Sequence, residues 1–336
     1  MTIKSRLGAR ALVTVVLACA APILAACATN SANDATTPPA PSASAPSSDA
    51  ASSAPESPAA SASATATKAT PKPKPVHITS LESDGATYGI GMPIILRFSK
   101  LPKTSVDFVK ATKVTVNGQA VKGAWFWEKP MKDGLWEAHY RMQAFWPGHA
   151  TIKVTLPKAG TSAGPGLAFD GQLASVTFHT GPATIGRVDG VTSKLTVTSD
   201  GKLFGVFPVA LGASNTPTLV GTKVIMAKGR NEPMVGSGYS IVVPWSMRLT
   251  IGGEYLHAAS WNVPNILAGR PSSNGCTNLL PADAEKLFNF MEIGDPVIYA
   301  TNMPGINVKL MPSWDGYGDW NLNWPTWSAG GELRNH

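Results

Sequence analysis

The stretch that decides the fold of the first folded region is Val114-Thr115-Val116-Asn117-Gly118, in which a β-type run meets the dipeptide Asn117-Gly118. Both residues of this dipeptide tolerate the positive φ that a two-residue hairpin turn requires, so the stretch predicts a β-hairpin. Similar short runs surround it, at residues 94–98, 124–127, 152–156 and 176–178. Because no helical stretch interrupts these runs, the pattern predicts an Ig-like β-sandwich over residues 76–182.

Four tryptophans of this first domain allow two interpretations. They are Trp125, Trp127, Trp136 and Trp146. Aligned on one exposed face, such rings would suit a carbohydrate platform. Packed inward, they would supply most of the core or of a contact with a neighbouring domain. We expect most of them to be packed inward.

A second β-rich region is predicted at residues 183–301. Asp200-Gly201 is a second hairpin signal, flanked by runs at 195–197 and 203–206. Further strands are expected at residues 209–211, 247–251 and 296–299. One helix is predicted at 281–291, where Pro281 suits the first helical position and Leu287, Phe288 and Met291 share an apolar face. The region therefore reads as a mainly β fold with one packed helix, followed by a Trp-rich segment at 302–336.

The N-terminus is typical of an exported protein. Lys4, Arg6 and Arg10 precede an apolar run at residues 11–26, which is the pattern of a secretory signal peptide and is too short to span a membrane comfortably. The run ends in Leu24-Ala25-Ala26-Cys27, which resembles a bacterial lipobox. We therefore expect cleavage after residue 26 and lipidation of Cys27; a plain signal peptide with a chance cysteine is the alternative.

Residues 27–75 are almost entirely Ala, Ser, Thr and Pro. Such a segment cannot bury enough apolar surface to offset its conformational entropy, so we predict a disordered tether. The expected location is the outer face of the cytoplasmic membrane, reached through the lipid anchor. A formal net charge of +7 favours anionic partners. Nucleic acid is excluded as the expected partner, because no Lys/Arg cluster is interleaved with aromatics; an acidic envelope polymer or membrane surface fits better.

The second region contains a thiol that calls for an explanation. Once Cys19 leaves with the signal peptide and Cys27 is acylated, Cys276 is the one free thiol of the sequence, so an internal disulfide is not expected. Cys276 follows Gly275 in a small polar turn, and His257 lies upstream as a possible base. A Cys/His nucleophilic site, an inert buried thiol, and redox sensing or cross-linking all remain open on these grounds. One Cys and one His fall short of a zinc site, and no cofactor is indicated.

The order of these residues resembles the YkuD-type catalytic domain of L,D-transpeptidases. That family places a histidine upstream of Ser/Thr-His-Gly-Cys-apolar-Asn, and this chain has His257 upstream of residues 273–278, which read SNGCTN. Tyr239 falls where mycobacterial members have their lid tyrosine, and Trp261 follows His257 at the family's spacing. The C-terminal residues 316–327 and an Ig-like domain before the catalytic one are also similar to the mycobacterial and actinobacterial lipoprotein members.

The resemblance implies formation of 3→3 peptidoglycan cross-links. Cys276 would attack a tetrapeptide donor stem and release D-Ala, and the amine of an acceptor stem would resolve the acyl-enzyme. His257 would be the base, and the amides of Gly275 and Cys276 would hold the oxyanion with the Tyr239 hydroxyl. Four further residues would bind substrate: Trp261, Ser273, Asn274 and Asn278. The resemblance also implies covalent inhibition by carbapenems.

Three positions depart from the family's pattern. Asn274 replaces the motif histidine, Thr277 replaces an apolar residue, and Ala258 stands where mycobacterial members have Ser. An amide can imitate one imidazole nitrogen in a hydrogen bond but cannot titrate. Because the family's base is the upstream histidine, retained as His257, we expect activity.

Three other functions remain open from the sequence. One is a degenerate lipoprotein that binds wall peptides without turnover. Another is a related thioester chemistry, either acyl transfer to a different amine or hydrolysis as a carboxypeptidase. The third is a purely structural envelope adaptor, which would have no need of His257, Gly275, Cys276 and Asn278 together.

Overall fold

Short β-strands and tight turns build the first half of the described chain; the structure is a computed structural model that describes residues 71–128, 135–236 and 239–333. The predicted signal peptide, Cys27 and most of the tether lie outside these residues. The first half contains eleven described strands and one described helix. They are β1 (Lys74–Val76), β2 (Ile78–Ser80), β3 (Thr87–Tyr88), β4 (Ile94–Phe98), α1 (Val106–Ala111), β5 (Lys113–Val116), β6 (Gln119–Ala120), β7 (Ala124–Glu128), β8 (Trp136–Arg141), β9 (Thr151–Thr155), β10 (Leu167–Phe169) and β11 (Ser175–Thr180).

Two sheets of these strands form the predicted Ig-like sandwich. One has the order β2-β4-β8-β7 and the other β3-β11-β9-β5-β6, and β1 pairs with β10 beside them. Asn117 and Gly118 have φ values of 49° and 78°, as the hairpin between β5 and β6 requires. Lys74 and Pro75, which the sequence analysis assigns to the tether, already belong to β1, since they pair with β10.

The tryptophans of the sandwich are mostly core residues. Trp125, Trp127 and Trp146 are buried, and Trp127 packs its ring 4.9 Å from that of Phe98 between the sheets. The carbohydrate-platform explanation is therefore wrong for these three, while Trp136 is half-buried. Burial of such rings supplies a large share of the apolar area that stabilises a domain of this size.

The second half contains nine described strands in one sheet and two helices packed on it. They are β12 (Thr184–Asp189), β13 (Lys194–Ser199), β14 (Lys202–Ala210), β15 (Gly221–Val224), β16 (Ala227–Gly236), β17 (Tyr239–Arg248), β18 (Tyr255–Ala258), α2 (Val263–Ala268), β19 (Thr277–Leu279), α3 (Pro281–Phe290) and β20 (Pro296–Tyr299). The sheet order is β15-β20-β12-β13-β14-β19-β18-β17-β16. The predicted helix is confirmed as α3, which buries Ala284, Leu287 and Phe288.

Two details of this sheet differ from the sequence prediction. The runs predicted at 203–206 and 209–211 belong to one strand, β14, and the strand predicted at 247–251 ends at Arg248, because residues 249–253 turn back towards β18. No strand was predicted from the sequence at the position of β16. This edge strand contains Pro233, and it is held by its register with β17, which carries the apolar residues.

The C-terminal segment returns to the sandwich. It contains a 3-10 turn at Gly318–Asn321 and helix α4 at Trp324–Ser328. Trp327 is fully buried, stacks on Phe126 at 4.9 Å and donates its indole N–H to the carbonyl of Ala124. The guanidinium of Arg141 lies over the rings of three tryptophans, at 4.9, 5.6 and 4.5 Å from Trp320, Trp324 and Trp327.

A second contact joins the two halves through glycine backbone. Gly89 and Gly91 donate to the carbonyls of Ile293 and Gly294, each at 2.8 Å. A side chain at Gly89 would collide with the backbone of Asp295, so this close approach requires glycine. Within the described ranges, no helix is both long and apolar enough to cross a membrane.

Candidate active site

The turn that carries Cys276 runs from Ser273 into β19, and its shape depends on Gly275. Gly275 has φ of 103°, a conformation that other residues rarely adopt. Three hydroxyl groups hold the carbonyls of the turn. Thr216 donates to Ser273 at 3.0 Å, Thr218 to Gly275 at 2.8 Å, and Ser273 to Cys276 at 2.5 Å. With the carbonyls held in this way, no described residue accepts a hydrogen bond from the N–H of Gly275 or of Cys276.

Cys276 is a free, half-buried cysteine. Its thiol donates to the carbonyl oxygen of Gly253, with Sγ 3.7 Å from that oxygen. Burial raises the pKa of the thiol to about 11, partly offset by the backbone N–H of Tyr255. The charge of Glu254 raises this pKa further and that of Lys223 lowers it. In this arrangement the thiol is protonated at neutral pH.

His257 lies on β18, the strand next to β19, and its two hydrogen bonds assign its tautomer. Nδ1 donates to the carbonyl oxygen of Ala258 at 2.8 Å, since a carbonyl can only accept. Nε2 accepts from the side-chain amide of Asn278 at 3.0 Å. Burial lowers the pKa of His257, with the Ala258 carbonyl acting in the opposite direction. The imidazole is therefore neutral at pH 7, which is the form a general base requires.

Asn278 and Asn262 orient this imidazole from inside the protein. The carbonyl oxygen of the Asn278 side chain accepts from the Asn262 amide at 2.7 Å, which directs the Asn278 amide nitrogen at His257. The Asn262 amide also donates to the hydroxyl of Ser272 at 2.8 Å. Asn278 is 3% exposed. In this structure Asn278 orients the histidine, and its predicted contact with substrate stays a prediction.

Cys276 lies in the turn that leads into β19, and β19 pairs in parallel with β18, the strand of His257. His257 is in register with Asn278, and the alternation of β19, continued back by two residues from Asn278 to Cys276, puts the thiol on the face that His257 occupies. Strand spacing and rise put their Cα atoms about 8 Å apart. No hydrogen bond joins the thiol to the imidazole within the part of the chain that the structure describes, because the thiol is directed towards Gly253 instead.

The remaining predicted residues divide into exposed and buried ones. Trp261 is 53% exposed, and its ring lies 6.0 Å from that of His257. Asn274 is exposed on the turn. Ser273 is buried and its hydroxyl donates to the Cys276 carbonyl, and its predicted substrate contact stays a prediction. Tyr239 begins β17, and its side chain is outside the described part of the structure.

A groove of about 330 Å³ lies beside the turn. Its wall includes Thr216, Glu254, Asn274, Gly275, Lys309 and Asp315. Asn274 belongs to the nucleophile turn and also lines this groove, whose wall carries the Lys309 ammonium, the Asp315 carboxylate and the carboxylate of Glu254, which is paired with Lys223.

Sequence reasoning missed the charged pair beneath the turn. Lys223 is fully buried on β15 and pairs with the carboxylate of Glu254. In the sequence, Lys223 stands between Thr222 and the apolar pair Val224-Ile225. Nothing in that order indicates that its ammonium is buried. Among the residues described, no group of three His, Cys, Asp or Glu side chains could hold a metal ion.

Comparison with known families agrees with this fold. Residues 184–298 match the L,D-transpeptidase catalytic domain family (YkuD), and residues 40–162 match the bacterial Ig domain family. The chain therefore carries an L,D-transpeptidase catalytic domain together with a bacterial Ig domain, and the predicted resemblance is confirmed.

Individual relatives are L,D-transpeptidases of Mycobacterium tuberculosis. L,D-transpeptidase 2 is 28% identical over 269 residues, which cover 76% of this chain and 63% of the relative. L,D-transpeptidase 5 is 27% identical, with coverage of 73% and 54%. The chain thus spans less than two thirds of the length of these two curated relatives.

Solved structures resemble the described fold. A crystal structure of an L,D-transpeptidase from Mycobacterium tuberculosis H37Rv is 28% identical, with a TM-score of 0.52 and coverage of 66% of this chain and 97% of that one. L,D-transpeptidase 3 from Mycobacterium tuberculosis, in complex with a faropenem-derived adduct, is 26% identical, with a TM-score of 0.53 and the same coverage.

Proposed function

We propose that this chain is a peptidoglycan L,D-transpeptidase that forms 3→3 cross-links through an acyl-enzyme on Cys276. The observation that carries the proposal is a free thiol at the entry to β19 and a neutral, oriented imidazole on the adjacent strand β18. The Asn274-Gly275-Cys276 turn adds backbone N–H groups without described acceptors, which suits an oxyanion site.

The first half-reaction begins with rotation of the thiol. Rotation about the Cα–Cβ bond of Cys276 turns Sγ away from the Gly253 carbonyl, the Asn278 amide moves off Nε2 of His257, and the freed Nε2 lone pair takes the thiol proton. The thiolate attacks the carbonyl between the third residue of the donor stem and its D-Ala. As the C–N bond breaks, the imidazolium returns the proton to the leaving amine, so that D-Ala departs and a thioester remains.

The second half-reaction reverses the roles. The side-chain amine of an acceptor stem attacks the thioester, and His257 accepts the proton that this amine loses. The C–S bond breaks, and the thiolate recovers a proton from the imidazolium. We propose that Trp261, exposed beside His257, and Asn274, exposed on the turn, contact the stems on either side of the thiol.

An intact-mass measurement tests the acylation step. Residues 71–336 are incubated with a carbapenem beside a Cys276→Ala control, and we expect a covalent adduct that the control lacks. Relatives of this fold have been solved with imipenem or a faropenem-derived adduct. Absence of an adduct on folded protein would contradict the proposal. Cross-linking itself is tested by incubating the protein with labelled tetrapeptide stems and looking for a 3→3 dimer and released D-Ala.

One observation favours a second function, a wall-binding protein without turnover. The thiol faces the Gly253 carbonyl rather than the imidazole, and burial holds its pKa near 11. A protein of this kind would bind stem peptides at the groove but form neither adduct nor dimer. The same two measurements therefore separate the two functions.

We also propose that the chain is exported and anchored to the outer face of the cytoplasmic membrane through lipid on Cys27. The support is the charged start, the apolar run and the small residues before Cys27. The test is metabolic labelling with an alkyne fatty acid in a bacterial host that processes lipoproteins. The Cys27→Ala variant should neither incorporate the label nor be recovered in the membrane fraction. If it does either, the lipid anchor on Cys27 is contradicted.

A further inference from the structure

A buried ion pair lies beneath the nucleophile turn and has no part in the mechanism above. Lys223, on β15, is fully buried, and its ammonium pairs with the carboxylate of Glu254. The same ammonium lies 3.9 Å from the centre of the Tyr299 ring. A buried charge is costly unless it is paired and hydrogen-bonded, so both partners are tied to this geometry.

Glu254 connects the pair to the turn. One carboxylate oxygen faces Lys223, and the other accepts the backbone N–H of Leu219 at 2.8 Å. A Cβ atom placed on Gly275 would lie 3.4 Å from Glu254 Oε1, so the carboxylate packs directly against the Cα of Gly275. Glu254 also follows Gly253, whose carbonyl accepts the thiol of Cys276.

Lys223 reaches the other side of the nucleophile through Tyr299. The Tyr299 hydroxyl and the Thr277 hydroxyl form a buried hydrogen bond of 2.6 Å, and Thr277 directly follows Cys276. The pair therefore supports the turn at the residue before the cysteine and, through one aromatic ring, at the residue after it. Both charges also act on the thiol: that of Glu254 raises the pKa of Cys276 and that of Lys223 lowers it.

Stability alone is a weak reason for such a pair. Replacing both members of a buried ion pair with apolar residues of similar volume is often neutral or stabilising. A pair that contacts the backbone on one side of a nucleophile and is linked to the other side is better explained by the geometry of the site, because a misplacement of about 1 Å can cost on the order of 100-fold in rate.

We propose that the Lys223–Glu254 pair is the positioning element of the Cys276 turn. It holds Gly275 in its left-handed conformation and keeps the thiol where it can turn from the Gly253 carbonyl to His257. This inference rests on the proposed function, since it assigns a role in acylation. Glu254 and Lys223 act through Gly275 and Tyr299 and are positioning residues. They are not proposed to exchange protons with the substrate.

The test compares variants of the pair by carbapenem acylation and by thiol titration. Glu254→Gln keeps the shape but removes the negative charge, and the double variant Lys223→Met/Glu254→Leu removes both charges. Glu292→Gln is the matched control, because Glu292 contacts Lys228 at 3.5 Å in an exposed pair away from the turn. Each variant is first checked for folding by circular dichroism and thermal melting, and rates are normalised to folded protein.

We expect both pair variants to acylate about 10- to 100-fold more slowly than the parent, mainly in the limiting rate rather than in the half-saturating concentration. The thiol of Glu254→Gln, followed by iodoacetamide alkylation against pH, should titrate at lower pH because the Glu254 charge that raises the pKa of Cys276 is gone. Glu292→Gln should match the parent in both measurements. A folded double variant that acylates at the parental rate would overturn the proposal.

Failure of the proposed function gives a different result. If the parent protein forms no adduct, the function is wrong, but iodoacetamide still reports on the thiol. In that case, unchanged alkylation profiles in both pair variants would overturn the positioning role as well. A shift of the alkylation profile that occurs in the pair variants and not in Glu292→Gln would support the positioning role of the pair in the turn.

Discussion

Two histidines are buried to almost the same degree in the two halves of this molecule, and they have opposite chemistry. His139 on β8 is 5% exposed and His257 on β18 is 3% exposed. His139 bonds Asp319 at 2.8 Å and Glu137 at 3.3 Å. Burial alone would lower the pKa of His139, but the two carboxylates outweigh it and raise this pKa well above its usual value.

His257 has only uncharged partners, the Ala258 carbonyl and the Asn278 amide, so burial prevails and lowers its pKa. The comparison teaches that the partners of a buried histidine decide its role. His139 is a cation that ties the C-terminal segment to the sandwich, and His257 is a neutral base candidate.

The largest expected effect comes from removing the base. His257→Gln should lower carbapenem acylation by about 100- to 10,000-fold, the usual contribution of a positioned general base. His139→Gln should leave the acylation rate of folded protein unchanged. Time-resolved intact mass measures both rates. Equal losses of acylation rate in the two variants would contradict the different roles assigned to His257 and His139.

The second effect concerns stability. His139→Gln leaves Asp319 buried without its cation, whereas Glu137 keeps Arg97, so the free energy of unfolding should fall by about 3 kcal/mol. For a chain of this size, that corresponds to a lowering of Tm by roughly 6–12 °C. Thermal melts measure it, with His149→Gln as the control because His149 is exposed. A His139 variant that melts with the parent would show that the cluster is not a cationic tie.

The third expectation sharpens the contrast through pH. Because the pKa of His257 is lowered, the acid limb of acylation should have its midpoint below pH 6.5, and the rate should hold through neutral pH. The pKa of His139 is raised on folding, so its contribution to stability is complete below pH 6.5 and is lost as pH rises through the raised value. The Tm gap between parent and His139→Gln should therefore narrow in alkaline buffer.

Melts and acylation rates measured from pH 5 to pH 10 check both trends. A Tm gap that widens with pH would contradict the assignment of charge to His139. An acid limb centred above pH 6.5 would contradict a neutral His257.

The smallest effect is expected at Asn274, where the family's motif has histidine. Asn274 is exposed, so Asn274→His should change the free energy of unfolding by no more than about 0.5 kcal/mol. Acylation should change by a few-fold at most, as measured by intact mass. A large gain in rate would assign the missing proton transfer to this position.

Much of the fold could be predicted because its signals are local. Asn117-Gly118 and Asp200-Gly201 predict hairpins from their own φ preferences, and both form. Helix α3 was readable from Pro281 and an apolar face of three residues. Strand β16 was not, since its pairing is supplied by β17 and its own residues include Gly229 and Pro233.

The candidate site was predictable in part. The motif at 273–278 indicated Cys276 and Gly275, and residue order indicated His257, because glycine, thiol and imidazole have few other uses in this pattern. The internal hydrogen bonds of the Ser273 hydroxyl and the Asn278 amide were not predictable, since both join groups that only the folded chain brings together.

The sequence by itself determined the β-rich architecture, the two hairpin turns, helix α3 and the thiol–imidazole combination, since each depends on residues close together in the chain or on residue type alone. Only the tertiary structure decided which histidine is charged, which tryptophans are core and that Lys223 is paired beneath the nucleophile. These properties arise from contacts between distant residues: Asp319 lies 180 positions from His139, and Glu254 lies 31 from Lys223. A side chain's charge depends on its surroundings, and long-range packing supplies those surroundings.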